Sequence, residues 1–155
     1  MSALARLADH VPRTHLGALA FRAGAASHVG CVRKINEDAW LDRSEVGLWA
    51  VADGVGGHAA GDVASSEVIS ALNRVSDFSS AFAFRRNVRN SLFQANAALQ
   101  RMAIRELLDT VGSTVVALIA HGGHYACTWA GDSRAYLLRK DVLTRITTDH
   151  GLASE

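Results

Sequence analysis

The sequence predicts an α+β fold, on three observations. Strand-like runs fill the first part of the chain, helical spacing fills the middle, and strand-like runs return after residue 112. Strands, then helices, then strands argue for segregated layers rather than alternating βαβ units. The late strands are joined by short polar turns, as antiparallel neighbours are. At 155 residues, 49% of them hydrophobic, the chain can build one domain with a substantial core.

Ala25 to Val32 reads as a short strand leading into an acidic turn, Arg33-Lys34-Ile35-Asn36-Glu37-Asp38. Ala39 to Leu41 continues as a second strand, ended by Asp42-Arg43-Ser44-Glu45. Val46 to Ala52 is nearly all apolar, which predicts a strand buried on both faces. From Gly61 the period becomes helical, with Val63, Ala64, Val68, Ile69, Leu72 and Val75 on one stripe and Asp62 near the start to suit the helix dipole. Ser76-Asp77 and Ser79-Ser80 interrupt it. A second helix carries Val88, Leu92, Ala95, Leu99 and Met102 at spacings of four and three and ends near Leu107. Four strands then follow as an antiparallel meander: Ser113 to Ala120, Tyr125 to Ala130, Arg134 to Leu138 and Val142 to Ile146. The chain stops soon after, with no element to cover the sheet edge, and so reads as the N-terminal portion of a longer domain.

Sixteen basic and fifteen acidic residues leave a net charge of +1, and the Lys and Arg residues form no basic stripe, so nothing points to nucleic acid. Cys31 and Cys127 lie in apolar, strand-like settings and read as buried, reduced thiols of a cytoplasmic protein. Polar residues such as Arg6, Asp9, His10 and Arg13 break up the N-terminus, which excludes a signal peptide or membrane span there. Residues 1–20 read as a loosely ordered leader before a domain over 21–155.

Chemistry concentrates in two acidic clusters. Adjacent acids such as Glu37 and Asp38 are ordinarily just solvated. Asp53 is harder to dismiss, because it follows the apolar run Leu48-Trp49-Ala50-Val51-Ala52, where an acid is costly unless paired or bound to a metal. Gly54, Gly56 and Gly57 leave carbonyls free to turn toward an ion. Such a set suits Mg2+ or Mn2+, which take oxygen ligands and keep several waters. Arg33 supplies a fork suited to a phosphate. Metal, water and phosphate clamp together suggest phosphoester hydrolysis.

Other readings are weaker. Gly54 to Ala59 fits a loose GxGxxA cradle, but Asp53 would repel a pyrophosphate and no acid ends a second parallel strand about 20 residues on. His58 suits either a general acid–base role or a helix cap. No zinc spacing, GxSxG elbow or nucleophilic cysteine signature is present. Ser113-Thr114 and Ser133-Arg134 read as the start of a strand and a tight turn, and Asp132 is a further acid beside a glycine.

Four ordered stretches, Gly30 to Ala39, Val51 to His58, Gly112 to Val116 and Ala130 to Tyr136, with Thr148-Asp149-His150 after them, resemble the metal-dependent (PPM, type 2C) serine/threonine protein phosphatases of bacterial type. The resemblance implies two antiparallel sheets packed as a sandwich, flanked by helix pairs, with a two-metal site for Mn2+ or Mg2+ at one end. It implies that Asp53 bridges the ions, that Glu37 and the Gly54 carbonyl bind the second, and that Asp132 lies near an accessory third. Asp38 would orient water and Arg33 would hold the substrate phosphate. The implied substrate is phosphoserine or phosphothreonine in a protein, with a serine/threonine kinase as counterpart and no nucleic acid or membrane involved. Some members carry a histidine after the Asp-Gly pair; here that position is Val55, which leaves the general acid unassigned. Members also continue beyond residue 155 with two more metal-binding aspartates. The alternative is therefore a truncated or degenerate domain that binds phosphoproteins or a partner without turnover.

Overall fold

The computed structural model describes residues 20–56 and 60–150. The expected leader lies almost wholly outside the described residues, as do Gly57, His58 and Ala59. The elements run β1 (Asp38–Arg43), β2 (Leu48–Gly56), α1 (Ala60–Asn73), α2 (Ala81–Glu106), β3 (Val111–Ser113), β4 (Val115–His121), β5 (His124–Ala130), β6 (Tyr136–Arg139) and β7 (Val142–Arg145). The fold is α+β with two antiparallel sheets. One has five strands in the order β1-β2-β4-β5, with β3 extending the pairing along β2; the other is the β6–β7 hairpin.

Both helices pack on one face of the larger sheet. Leu48, Ala50 and Ala52 of β2 and Val115, Ala117 and Ile119 of β4 point inward against Ala64, Val68, Ala71 and Leu72 of α1 and Phe84, Val88, Ala95 and Leu99 of α2. Alanines dominate the contact between α1 and β2, which lets the helix backbone approach the sheet closely. Phe84 is fully buried, and its ring meets Phe78 edge-on at 4.9 Å. Ser80, which reads as an interruption in sequence, is the N-cap of α2: its hydroxyl accepts from the Ala83 amide. Helix α2 ends on Leu107 in the left-handed conformation, whose amide caps the Ala103 carbonyl. Arg43 ties the layers together by donating to the carbonyl of Asn73, the last residue of α1, and to that of Val75 just after it.

Four expectations need correction. Residues 25–32 form no strand; they run as irregular chain and a turn, so Cys31 is exposed, while Cys127 is half-buried. Strand β2 is not buried on both faces: its residues alternate, with Val51, Asp53 and Val55 exposed. The described helices cover one face only, so the strand's apolar run still obeys the period of two. Val63 likewise leaves the helical stripe and is exposed. The late strands are not one meander: after β5 the chain leaves the sheet and β6–β7 pair only with each other. Among the described residues no helix is long and apolar enough to cross a membrane.

Phe84 fills the space between both helices and the sheet, so Phe84→Ala should lower unfolding free energy by about 3–5 kcal/mol, the usual cost of deleting a buried aromatic ring. Urea titration followed by circular dichroism measures this; a loss below about 1 kcal/mol would mean that α2 is not docked as described.

Candidate metal and phosphate site

Strand pairing sets the site. Asp38 lies directly opposite Asp53 in the β1–β2 ladder. On the other side of β2, the register that pairs Val51 with Val116 and Gly54 with Ser113 puts Thr114 opposite Asp53. Directly opposed residues share a sheet face, so the two aspartates project to the exposed side together. Asp53 is not the last strand residue, as the sequence suggested; β2 runs on to Gly56, and Gly54 and Gly56 belong to the strand rather than to a cradling loop.

Hydrogen bonds fix the backbone on both sides of Asp53. Its amide donates to Thr114 Oγ1 at 3.1 Å, and its carbonyl accepts from the Thr114 amide at 2.8 Å and from the Ser113 hydroxyl at 3.1 Å. Thr114 Oγ1 also meets the Ser133 hydroxyl at 2.6 Å. Gly131, at φ +92°, packs so tightly on Thr114 that a Cβ there would come within 2.8 Å of its methyl carbon. That glycine turn carries Asp132 to the rim. It is held by the His150 amide, which donates to the Gly131 carbonyl, and by a bidentate Arg134–Asp149 pair at 3.1 and 2.7 Å. The Arg134 hydrogen bonds hold the Asp149 carboxyl below its usual range.

Glu37 enters from the preceding loop. Its carbonyl accepts from the Gly54 amide at 3.0 Å, and Asn36 Oδ1 accepts from the Asp38 amide at 3.1 Å, closing a local turn. The Glu37 carboxylate lies against Gly61 at the start of α1, and Gly61 in turn lies on the Gly54 backbone; a Cβ at either glycine would collide. Arg33 Nη1 donates to Glu37 Oε2 at 3.2 Å, with the arginine side chain 75% exposed and the glutamate 19%.

The electrostatics follow from this crowding. Partial burial, then the charges of Asp38, Asp132 and Glu37, push the Asp53 carboxyl up, and Arg33 opposes them. Arg33, Glu37, Asp38, Asp53, Gly54 and Asp132 are thus brought to one rim of the sheet. Among the described residues no three acidic, histidine or cysteine side chains close around a single point. What the rim does offer is carboxylate and carbonyl oxygens, the donors that a hard cation takes while keeping several waters. Oxygen donors only, together with mutual repulsion that a cation would relieve, fit Mg2+ or Mn2+.

Sequence reasoning missed Gly61, Ser113, Thr114 and Ser133 as members of this site. Thr114 lies 61 residues from Asp53. No local pattern announces such a contact; a hydroxyl run at a strand start after a glycine was the one available sign.

Comparison with known proteins agrees with the geometry. The family model described as protein phosphatase 2C matches residues 21–155. Serine/threonine protein phosphatase PstP of Mycobacterium tuberculosis is 38% identical over 132 residues, covering 84% of this chain and 25% of PstP. Serine/threonine phosphatase stp of Listeria innocua is 32% identical over 134 residues, covering 81% of this chain and 53% of the relative. Among solved structures, PppA, a key regulatory component of T6SS in Pseudomonas aeruginosa, superposes with a TM-score of 0.78 at 49% identity, covering 81% of this chain and 55% of that one. The catalytic domain of PstP, solved in complex with two manganese ions, gives a TM-score of 0.69 at 37% identity, covering 79% and 53%. The chain spans a quarter of PstP and about half of stp. With the acidic motifs, the strand order and the match over residues 21–155 all in agreement, the chain belongs to the protein phosphatase 2C family.

Proposed function

We propose that residues 21–155 form the N-terminal portion of a phosphatase domain that hydrolyses phosphoserine and phosphothreonine in proteins, with residues 1–20 a leader. The observation that carries this reading is Asp38 paired directly opposite Asp53 on the exposed sheet face, with Glu37 bound through its carbonyl to Gly54 and through its carboxylate to Arg33, and with Asp132 near enough to act on the Asp53 charge. Relatives named as serine/threonine phosphatases support it, as does the two-manganese structure of PstP. The protein acts in the cytoplasm on substrates supplied by a serine/threonine kinase.

In this reading Asp53, Glu37 and the Gly54 carbonyl hold two Mn2+ or Mg2+ ions, and Asp132 serves a third. When bound, the ions lower the pKa of water and offset charge on the phosphoryl oxygens. Asp38 accepts hydrogen bonds from water and orients it for in-line attack. Arg33 spends one N–H on Glu37 and presents the rest of its fork to the phosphate. The Thr114, Ser113 and Gly61 contacts keep the carboxylates from turning away from one another. Val55 offers no proton to the leaving oxygen, and the general acid stays unassigned.

The raised Asp53 pKa means that its ionised form opposes folding, a cost absent at low pH and present once pH exceeds the folded-state value. Asp53→Asn should therefore raise the melting midpoint of metal-free protein at neutral pH, while removing the further rise caused by Mn2+ and abolishing Mn2+-dependent hydrolysis. Differential scanning fluorimetry with and without Mn2+ reads the first two. An undiminished Mn2+ response in the variant would remove Asp53 from the ligand set.

Arg33→Ala should raise KM for a phosphopeptide about tenfold, the loss of one charge-assisted contact. Mn2+ affinity should stay level or improve, since a positive charge is gone. Weaker Mn2+ binding with an unchanged KM would place Arg33 in a structural role.

Gly61→Ala forces the Glu37 carboxylate out of its seat. Calorimetric titration should show weaker Mn2+ binding, and Glu37→Ala made in the same background should cost little more, because the two changes remove the same ligand. Additive losses would contradict that.

A further inference from the structure

Helix α2 carries Arg85, Arg86 and Arg89 in its N-terminal half, all exposed. Among the described residues none of the three forms an ion pair. The helix has no acidic residue before Glu106, so along α2 Arg85 faces Arg89 at i+4 and Arg86 faces Arg89 at i+3; among the described residues the one acid that feels them is Asp77, ahead of the helix, on which Arg86 acts. Like charges so placed destabilise a helix. Two are propped outward on exposed rings, with Arg86 5.9 Å from the centre of Phe82 and Arg89 5.8 Å from that of Phe93. The cluster therefore does nothing for the helix itself, and an anion would relieve it.

The arginines overlook an unpaired strand. β5 ends the order of its sheet, and among the described residues its outer edge pairs with no strand. Between Tyr125 and Thr128 alternate residues bond to β4, and the N–H and C=O groups of the others face this outer edge, where an added strand could pair. Arg85 and Arg89 share an open cavity of about 510 Å³ with Cys127, Thr128, Trp129 and His150. Trp129 and His150 stack at 5.8 Å at the end nearer the rim, and Trp129 Nε1 donates to the Thr148 carbonyl. Two residues past β5 the chain reaches Asp132, whose charge acts on Asp53.

We propose that the groove between α2 and the edge of β5 binds an extended acidic peptide segment, its backbone pairing with β5 and its carboxylates meeting Arg85 and Arg89. At about 3.3 Å per residue the free edge takes roughly four to six residues. The segment runs toward the carboxylate rim, so the groove selects substrates with acidic residues on one side of the phosphorylated side chain. That substrate role rests on the phosphatase reading; the binding of an acidic segment does not.

The test is fluorescence anisotropy on the full chain with a short, unphosphorylated, fluorescein-labelled peptide rich in Asp and Glu. Its Asn/Gln counterpart should bind about tenfold more weakly or less, as loss of charge-assisted hydrogen bonds predicts. R85Q/R89Q should weaken the acidic peptide by a similar factor, R85E/R89E should abolish its binding, and R85K/R89K should restore most of it. N-methylation at alternate residues, which blocks strand pairing, should also weaken it. Unchanged melting midpoints establish that the variants fold. Equal binding of the two peptides, R85E/R89E affinity equal to the parent, or tighter binding of oligothymidylate of matched charge would overturn the proposal. Hydrolysis of p-nitrophenyl phosphate, measured in parallel, should be untouched by R85E/R89E, whereas KM for a phosphopeptide with acidic flanks should rise. If hydrolysis is absent but the peptide binds, the phosphatase reading and the substrate role fall and the acidic-peptide surface stands; if hydrolysis proceeds but the peptide is not bound, the reverse holds.

Discussion

Two aspartates facing each other across one strand pair, Asp38 and Asp53, are the constraint around which the rest of this molecule is arranged. Like charges directly opposed in an antiparallel ladder repel, and Asp132 and Glu37 add to the repulsion. Left to itself such a rim would splay. It is held by a frame of neutral groups: the Asp53 amide and carbonyl are both bound by Thr114, Thr114 is bound by Ser133, and Glu37 is seated on Gly61. Placing unfavourable charge on a rigid frame is how a site becomes pre-organised for a cation.

The core enforces the same arrangement from the opposite face. Leu48, Ala50 and Ala52 point into the helix layer, and because strand side chains alternate, Trp49, Val51 and Asp53 must point away from it. A one-residue slip of β2 would turn Asp53 toward the helix layer and Leu48 outward, so the burial of Leu48, Ala50 and Ala52 also fixes where the carboxylate lies. Fold and site are therefore specified by one register. The Arg43 bonds to the end of α1 and the Ser80 cap of α2 hold the helices that make that register the favoured one.

What the sequence made legible follows the range of the interactions involved. Periodicity is local, so both helices and most strands were read from it within a few residues, and the acidic motifs stood out because charge beside an apolar run is locally anomalous. Residues 25–32 differ because a short apolar stretch has strand propensity but, among the described residues, pairs with no strand. Leu48 to Ala52 is apolar throughout, which predicts burial of β2 on both faces, yet an apolar run carries no record of whether one layer or two will cover it. Thr114 and Gly61 were missed for a different reason. Their roles exist only through contacts with Asp53 and Glu37 that close loops of dozens of residues, and a lone threonine or glycine carries no trace of its distant partner. The motifs gave the acids; the strand order gave what positions them.

The separation of charge bears on the order of events in the proposed reaction. The net charge of +1 conceals a rim of four carboxylates and, along β5, a groove flanked by arginines. Among the described residues a phosphate dianion approaching the bare rim meets Arg33 against Glu37, Asp38, Asp53 and Asp132, and near-contact repulsion of that kind outweighs one exposed guanidinium already bound to a glutamate. Cations must therefore occupy the rim before the phosphate can settle there. The arginines of α2 carry no such condition: they attract an acidic segment whether or not the rim is loaded. A substrate with acidic flanks would thus be held near the site first and its phosphate admitted second, so that metal occupancy governs the chemical step more than the encounter.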